Sequence, residues 1–261
     1  MDGANNTIDW TSDGDLLMTY DPGAQGHILG IAEGSDQTMW FTTDLGNVGR
    51  LACDGTYTEF TVRGRPGGLV TTPDGAMWVG EEDGHVIRIT SDGRVTDYTL
   101  PSPNAIPTTS VQGMVVGPDS AVWFKVADGV GRLTADGSNS ELKAAGGWGE
   151  ILFDSKGDLW VATTDLQHWS AAGQLVATYR LGVMTLGMTV AEDGTLWYAA
   201  MSESTSEQHL YVGQIRSGAI QSDGWSNLYA APWVGGAMIT KGSLWFGTVA
   251  GLARYTPPQA I

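Results

Sequence analysis

The sequence is short of basic residues, of cysteine and of long apolar runs. It has 13 Lys and Arg, only four of them Lys, against 29 Asp and Glu, for a formal charge of −16. So acidic a chain is a poor partner for a phosphate backbone, which excludes nucleic acid as a partner. No apolar run reaches the length of about 18 residues that a membrane helix needs, so no membrane association is expected. Cys53 is the only cysteine and has no partner for an internal disulfide. The first residues, MDGANNTIDW, show neither a basic nor an apolar leader region, so no secretory signal is expected and a cytoplasmic setting is. Other signatures are missing too. There is no Gly-rich phosphate loop, no dinucleotide fingerprint, no His-x-x-x-His and no Ser nucleophile elbow. The Asp-Gly pairs lack the spacing of a Ca²⁺ loop. Redox, phosphoryl-transfer and zinc chemistry therefore have no support.

What is present is glycine, tryptophan and a repeat. The chain has 37 Gly and 11 Trp in 261 residues, with 42% hydrophobic residues, enough for a core. A tryptophan between apolar neighbours recurs at Trp40, Trp78, Trp123, Trp160, Trp197 and Trp245, at spacings of 38, 45, 37, 37 and 48. A turn such as Pro73-Asp74-Gly75 or Asp193-Gly194 precedes most of them. A strand such as Val48-Gly49-Arg50-Leu51 or Val130-Gly131-Arg132-Leu133 follows. Next come another Asp-Gly turn and a strand such as Tyr57–Phe60. Asp-Gly suits the positive φ of two-residue hairpins, and no 3.6-residue apolar period is sustained. Four short strands per repeat of about 40 residues predict an all-β chain, a six-bladed β-propeller with four-stranded antiparallel blades. The expected blades are 23–62, 63–100, 108–144, 145–182, 183–228 and 233–257, within a single domain 1–261. The last supplies three strands, and a lone N-terminal strand at 13–22 is expected to close it, removing two exposed edges. The repeat tryptophans are expected in the core.

Gly-Ile-Ala-Glu-Gly-Ser-Asp-Gln-Thr-Met-Trp-Phe-Thr-Thr (30–43) and the pattern at Gly49–Phe60 resemble the repeat of the virginiamycin B lyase, or streptogramin lyase, family. That resemblance implies a propeller, seven-bladed in the family. It also implies elimination at the ester of a cyclic depsipeptide, with Mg²⁺, His and Glu at one mouth. This chain departs from it by one blade and in its site pattern. The family His stands just before the Gly-Ile of an inner strand, and the slots here are Leu29, Gly67, Gln112, Trp148, Leu186 and Gly236. The family Glu follows Trp-Phe-Thr, and of those slots only Glu81 is acidic.

A propeller mouth is framed by the starts of first strands and the ends of second strands. Three long connections, 98–112, 200–210 and 225–236, border it and suit binding. The expected catalytic residues are His27, Glu81, Gln112 and Tyr198. Leu29, Lys125, Trp148, Leu186, Met201, His209 and Trp233 are expected to bind substrate. His27 can act as acid or base or be a loop histidine in solvent. Glu81 with Glu82 can share a proton, hold a cation or form a solvated turn. Lys125, if desolvated, has a lowered pKa or else a carboxylate partner. His85 and His168 read as turn residues. The apolar set with few polar groups fits a bulky apolar small molecule, such as a polyketide or depsipeptide. The reading is a cofactor-independent cyclase, isomerase or lyase-like enzyme of bacterial secondary metabolism, in antibiotic biosynthesis. The alternatives are a Mg²⁺-dependent streptogramin-type lyase, and a propeller that binds a ligand or protein without catalysis.

Overall fold

The computed structural model describes residues 8–12, 15–20, 27–100, 111–126, 129–142, 149–201, 210–221, 234–240, 243–248 and 251–255. These residues form strands and turns, as the absence of a helical period predicts. The chain divides into two compact units, one of residues 1–127 and 131–140, the other of 128–130 and 141–261.

The first unit opens with β1 (Ile8–Ser12) and β2 (Asp15–Tyr20), an antiparallel pair. Four-stranded antiparallel sheets follow, each in chain order. The first is β3 (Ile28–Glu33), β4 (Met39–Thr43), β5 (Asn47–Leu51) and β6 (Tyr57–Thr61). The second is β7 (Pro66–Thr71), β8 (Met77–Glu81), β9 (His85–Ile89) and β10 (Val95–Thr99). The third is β11 (Gln112–Val116), β12 (Val122–Val126), β13 (Gly129–Leu133) and β14 (Asn139–Leu142).

The second unit holds β15 (Ile151–Phe153), β16 (Leu159–Ala162), β17 (Asp165–Trp169) and β18 (Leu175–Arg180) in one sheet. Another is β19 (Met184–Val190), β20 (Leu196–Met201), β21 (Leu210–Arg216) and β22 (Ala219–Gln221). The last has three strands, β23 (Val234–Thr240), β24 (Ser243–Thr248) and β25 (Gly251–Tyr255). Two expectations change here. The N-terminal strand is not alone, because Ile8–Ser12 pairs with it. Five sheets, rather than six, have four strands among the described residues.

The repeat is legible in the packing. Trp40, Trp78, Trp160 and Trp197 are buried in the second strands of their sheets, while Trp123 is only half-buried. In the first two sheets an arginine on the third strand faces the tryptophan, Arg50 opposite Trp40 and Arg88 opposite Trp78. Arg132 lies over Trp123 in the third. Each guanidinium lies over the indole and reaches the turn aspartate, Asp36, Asp74 or Asp119. In the first and third sheets the glycine before the arginine, and in the fifth Gly213 at the same place before Gln214, lies under the aromatic ring that follows the repeat tryptophan. A Cβ at Gly49, Gly131 or Gly213 would collide with Phe41, Phe124 or Tyr198.

The Asp-Gly turns differ from the two-residue form. Gly55 has φ 85°, whereas Asp54 keeps negative φ, and Gly55 N–H donates to Ala52 O at 2.9 Å. This is a three-residue loop, a β-turn followed by a left-handed glycine. The aspartate accepts the N–H two residues on, as in Thr56 N to Asp54 Oδ1 at 2.8 Å, which stabilises the turn from its own side chain.

Candidate functional site

In the second sheet, β8 ends on Glu81, which has no exposed surface. Gly64 N–H, from the connection between β6 and β7, donates to Glu81 Oε1 at 2.9 Å. Glu81 Oε2 is buried without a hydrogen-bond partner. Burial pushes this carboxyl above its ordinary pKa. The Gly64 N–H and His85 pull it down, while Asp83 and Asp97 push it up. His85 is the first residue of β9 rather than a turn residue, and its Nδ1 meets Asp97 Oδ1 at 2.7 Å.

The third sheet supplies the neighbouring groups. Val111 N–H donates to the Glu81 carbonyl at 3.1 Å, tying the end of β8 to the start of β11. The next residue, Gln112, faces Lys125 across β11 and β12. Lys125 is 2% exposed, and burial lowers its ammonium pKa to about 8. The backbone thus ties the end of β8 to Val111, the residue before Gln112, whose register partner is Lys125.

The remaining expected residues are placed as follows. His27 is exposed, and its N–H donates to Asp44 Oδ1 at 2.7 Å. Leu29 is the bulged residue of β3 and is 39% exposed. Tyr198 is a core residue of the second unit, 5% exposed, with its ring over Gly213. Its hydroxyl lies over Gly213 of the neighbouring strand in its own sheet, and burial raises its pKa. Leu186 is the bulged residue of β19, and Met201 ends β20 opposite Met184. Trp148, His209 and Trp233, with most of the three long connections, lie outside the described residues.

The register also finds a carboxylate that the sequence reading passed over. In each sheet one first-strand residue faces the repeat tryptophan: Ala32, Val70, Val115, Leu152, Thr189 and Met238. Two residues earlier stand Gly30, Gly68, Gly113, Glu150, Gly187 and Gly236. Glu150 replaces a glycine kept in the other five sheets. The signal was available as Glu150-Ile151 standing where Gly30-Ile31 stands in the first repeat. The same register moves the fourth family slot from Trp148 to Gly149 and the sixth from Gly236 to Gly235. None of the six is histidine.

Residues 3–207 match the model of the virginiamycin B lyase family. The chain belongs to that family. None of the curated proteins matches it. Solved structures resemble this family member in fold. One is the extracellular domain of a putative hybrid two component system from B. thetaiotaomicron, at TM-score 0.70 and 13% identity, covering 94% of this chain and 36% of that one. The family member thus spans about a third of that protein's length. BamB from Moraxella catarrhalis matches at TM-score 0.63 and 11% identity, with 95% and 90% covered. A gluconolactonase from Xanthomonas campestris matches at 0.55 and 17%, with 87% and 84% covered.

Among the described residues, the metal that the family implies finds no His and Glu set at the family's slots. Among the described residues, three potential metal donors converge only at Asp154, Asp158 and His168. Backbone and indole N–H groups already engage those carboxylates. Asp154 Oδ1 accepts from Lys156 N and Asp158 N, Asp154 Oδ2 from Trp160 Nε1, and Asp158 Oδ1 from Ala171 N. His168 lies in β17, opposite Trp160 and stacked on it at 4.2 Å, with Nε2 2.9 Å from Asp158 Oδ2. It occupies the place that Arg50 and Arg88 take elsewhere. The cluster is therefore the fourth sheet's version of the turn clasp. No membrane-crossing helix of sufficient length and apolarity occurs among the described residues.

Proposed function

We propose that this family member is a cofactor-independent enzyme acting by proton transfer on a bulky, apolar natural product, as a cyclase, isomerase or lyase-like catalyst of secondary metabolism, including antibiotic biosynthesis. One observation carries the reading: Glu81 and Lys125 are buried near the ends of the second strands of consecutive sheets, with pKa values displaced in opposite directions. Such displacement favours the protonated carboxyl and the neutral amine over their charged forms. In this reading Lys125 removes a proton from the substrate. Glu81 returns one at a second carbon or at a leaving oxygen. Gln112, opposite Lys125, orients a carbonyl. Leu29, exposed on β3, supplies apolar surface for the substrate.

The architecture that serves this reading is a six-bladed propeller in one domain, with the N-terminal strand closing the last sheet. The single cysteine is in keeping with a cytoplasmic, reducing setting.

A second reading is the family's own, a streptogramin-type C–O lyase, and the match over residues 3–207 favours it. We derive no metal-borne step for it, because the histidine slots are not filled. The test is incubation with virginiamycin B and, separately, with polyketide and depsipeptide substrates, with and without EDTA. Products are followed by chromatography and tandem mass spectrometry. An isomeric product that forms in EDTA and is lost in Glu81→Gln and Lys125→Met supports the proposal. Opening of virginiamycin B that EDTA abolishes selects the metal-dependent lyase. Quenching of tryptophan fluorescence by these compounds without conversion leaves a binding protein.

A further inference from the structure

Cross-strand register aligns the outer strands of the repeats residue by residue. Thr58 of β6 faces Arg50, Thr96 of β10 faces Arg88, and Ala177 of β18 faces His168. One residue further on stand Glu59 in β6 and Asp97 in β10, both exposed, and Thr178 in β18. The outer strand β14 likewise carries an exposed acid, Glu141. Each of these strands is the last of its sheet, so one row of its backbone groups has no strand to pair with. A charge in mid-strand keeps such an edge from taking up another chain. In a chain of net charge −16, an acid there repels a second copy of the chain itself.

The fourth sheet lacks that protection. β18 reads Leu-Val-Ala-Thr-Tyr-Arg, without an acid, and β17 is the only strand against which it makes more than slight contact. Tyr179 anchors it by stacking on Trp160 at 5.7 Å, so the edge is held in place. Leu175 is 50% exposed, Val176 is 56% exposed, and Thr178 is exposed as well. Val176 is the bulged residue, which leaves Ala177–Arg180 as a regular stretch of edge. The outer strand of the fifth sheet has no acid either, but Ala219–Gln221 is only three residues long, and very short edges protect themselves.

We infer that the β18 edge pairs with the β18 edge of a second copy of this chain, antiparallel about a two-fold axis near Thr178. Charge selects that occupant. The acids that would repel a second copy line the outer edges of the first three sheets and are missing from this one. Antiparallel pairing keeps the two Arg180 side chains apart and lays each toward the Leu175 end of the other copy. Asp154 and Asp158 lie at that end with Lys156, and Ala171 N–H donates to Asp158 there. In its own sheet Arg180 faces Asp165. One strand edge is small beside the roughly 1,200–2,000 Å² of a stable interface, so the copies associate at high concentration and part on dilution.

Sedimentation velocity of the full chain, from micromolar to near-millimolar concentration, tests the pairing. The parent should move reversibly from monomer to dimer. Thr178→Glu restores the acid of the other edges and sets two carboxylates side by side across the axis, so it should weaken association by about tenfold or more. Val176→Lys should act in the same direction, and Thr178→Val should keep the dimer. These side chains are exposed, so the variants should melt close to the parent, and if Thr178→Glu unfolds, Val176→Lys carries the test. A parent that stays monomeric throughout would overturn the proposal and leave the edge to a strand of another protein. A dimer that both charged variants leave intact would overturn it too, because the contact would then lie elsewhere on the molecule.

Discussion

At the scale of single residues, the two buried ionisable groups of the first unit give opposite pH signatures. Glu81 holds its proton more tightly folded than unfolded. The stability it contributes is complete below its unfolded value of 4.5 and is lost as pH rises toward the raised folded value. Glu81→Gln should flatten that decline and melt higher than the parent at pH 8, a comparison that thermal scans across pH will make. Lys125 behaves conversely. Its folded pKa of about 8 lies below the unfolded 10.5, so stability should climb with pH between those values. Lys125→Met should remove the climb. If Lys125 is the base, turnover should also rise through pH 8 in the parent. Both residues were legible because each closely follows a repeat tryptophan, Glu81 three residues after Trp78 and Lys125 two after Trp123. Glu150 was passed over because its slot shows only when Glu150-Ile151 is aligned with Gly30-Ile31, an alignment that the strand register fixes. The Gly-rich run 146–149 drew attention to Trp148 instead.

At the scale of the element, the recurring unit is a turn aspartate, a tryptophan and a cation on the third strand. The sequence displayed all three but not their contact, which depends on cross-strand register. The glycine beside the arginine is explained the same way, since Phe124 occupies the space that a Cβ on Gly131 would need. Gly131→Ala should therefore cost about 1–3 kcal/mol, the range for overpacking, read as a drop in the urea midpoint. The turn offers the reverse change. Ser120 holds the left-handed position at φ 59°, which glycine takes at Gly55 and Gly75. Ser120→Gly should stabilise by up to about 1 kcal/mol, since a side chain there is strained. In the fourth sheet, histidine replaces the arginine and mimics a metal ligand. His168→Arg should keep the clasp, so its melting temperature should match or exceed the parent's. Added Zn²⁺ or EDTA should leave both melting curves in place.

At the scale of the whole molecule, the question is how the three-stranded sheet β23–β25 completes itself. Tryptophan spacing announced six repeats, and among the described residues the last of them contains three strands. The fold class was readable because Asp-Gly turns and apolar alternation are local signals. Completion as proposed pairs residues at opposite ends of the chain, which no local pattern encodes. In the proposed closure, β2 adds to the last sheet and removes its exposed edge. The hairpin partner β1 was not anticipated, and it changes the expectation in a useful way. Removing residues 1–12 takes away only the outer strand of the hairpin. Removing 1–22 takes away the closing strand as well. The shorter truncation should melt cooperatively with a modest loss. The longer one should lose its single sharp transition, because unpaired edges propagate fraying through a repeat array whose stability is nearest-neighbour in origin. Both are measured by calorimetry on the purified proteins. A cooperative transition in the 1–22 deletion would show that the last sheet is stable with three strands, and the closed six-bladed architecture would then have to be given up.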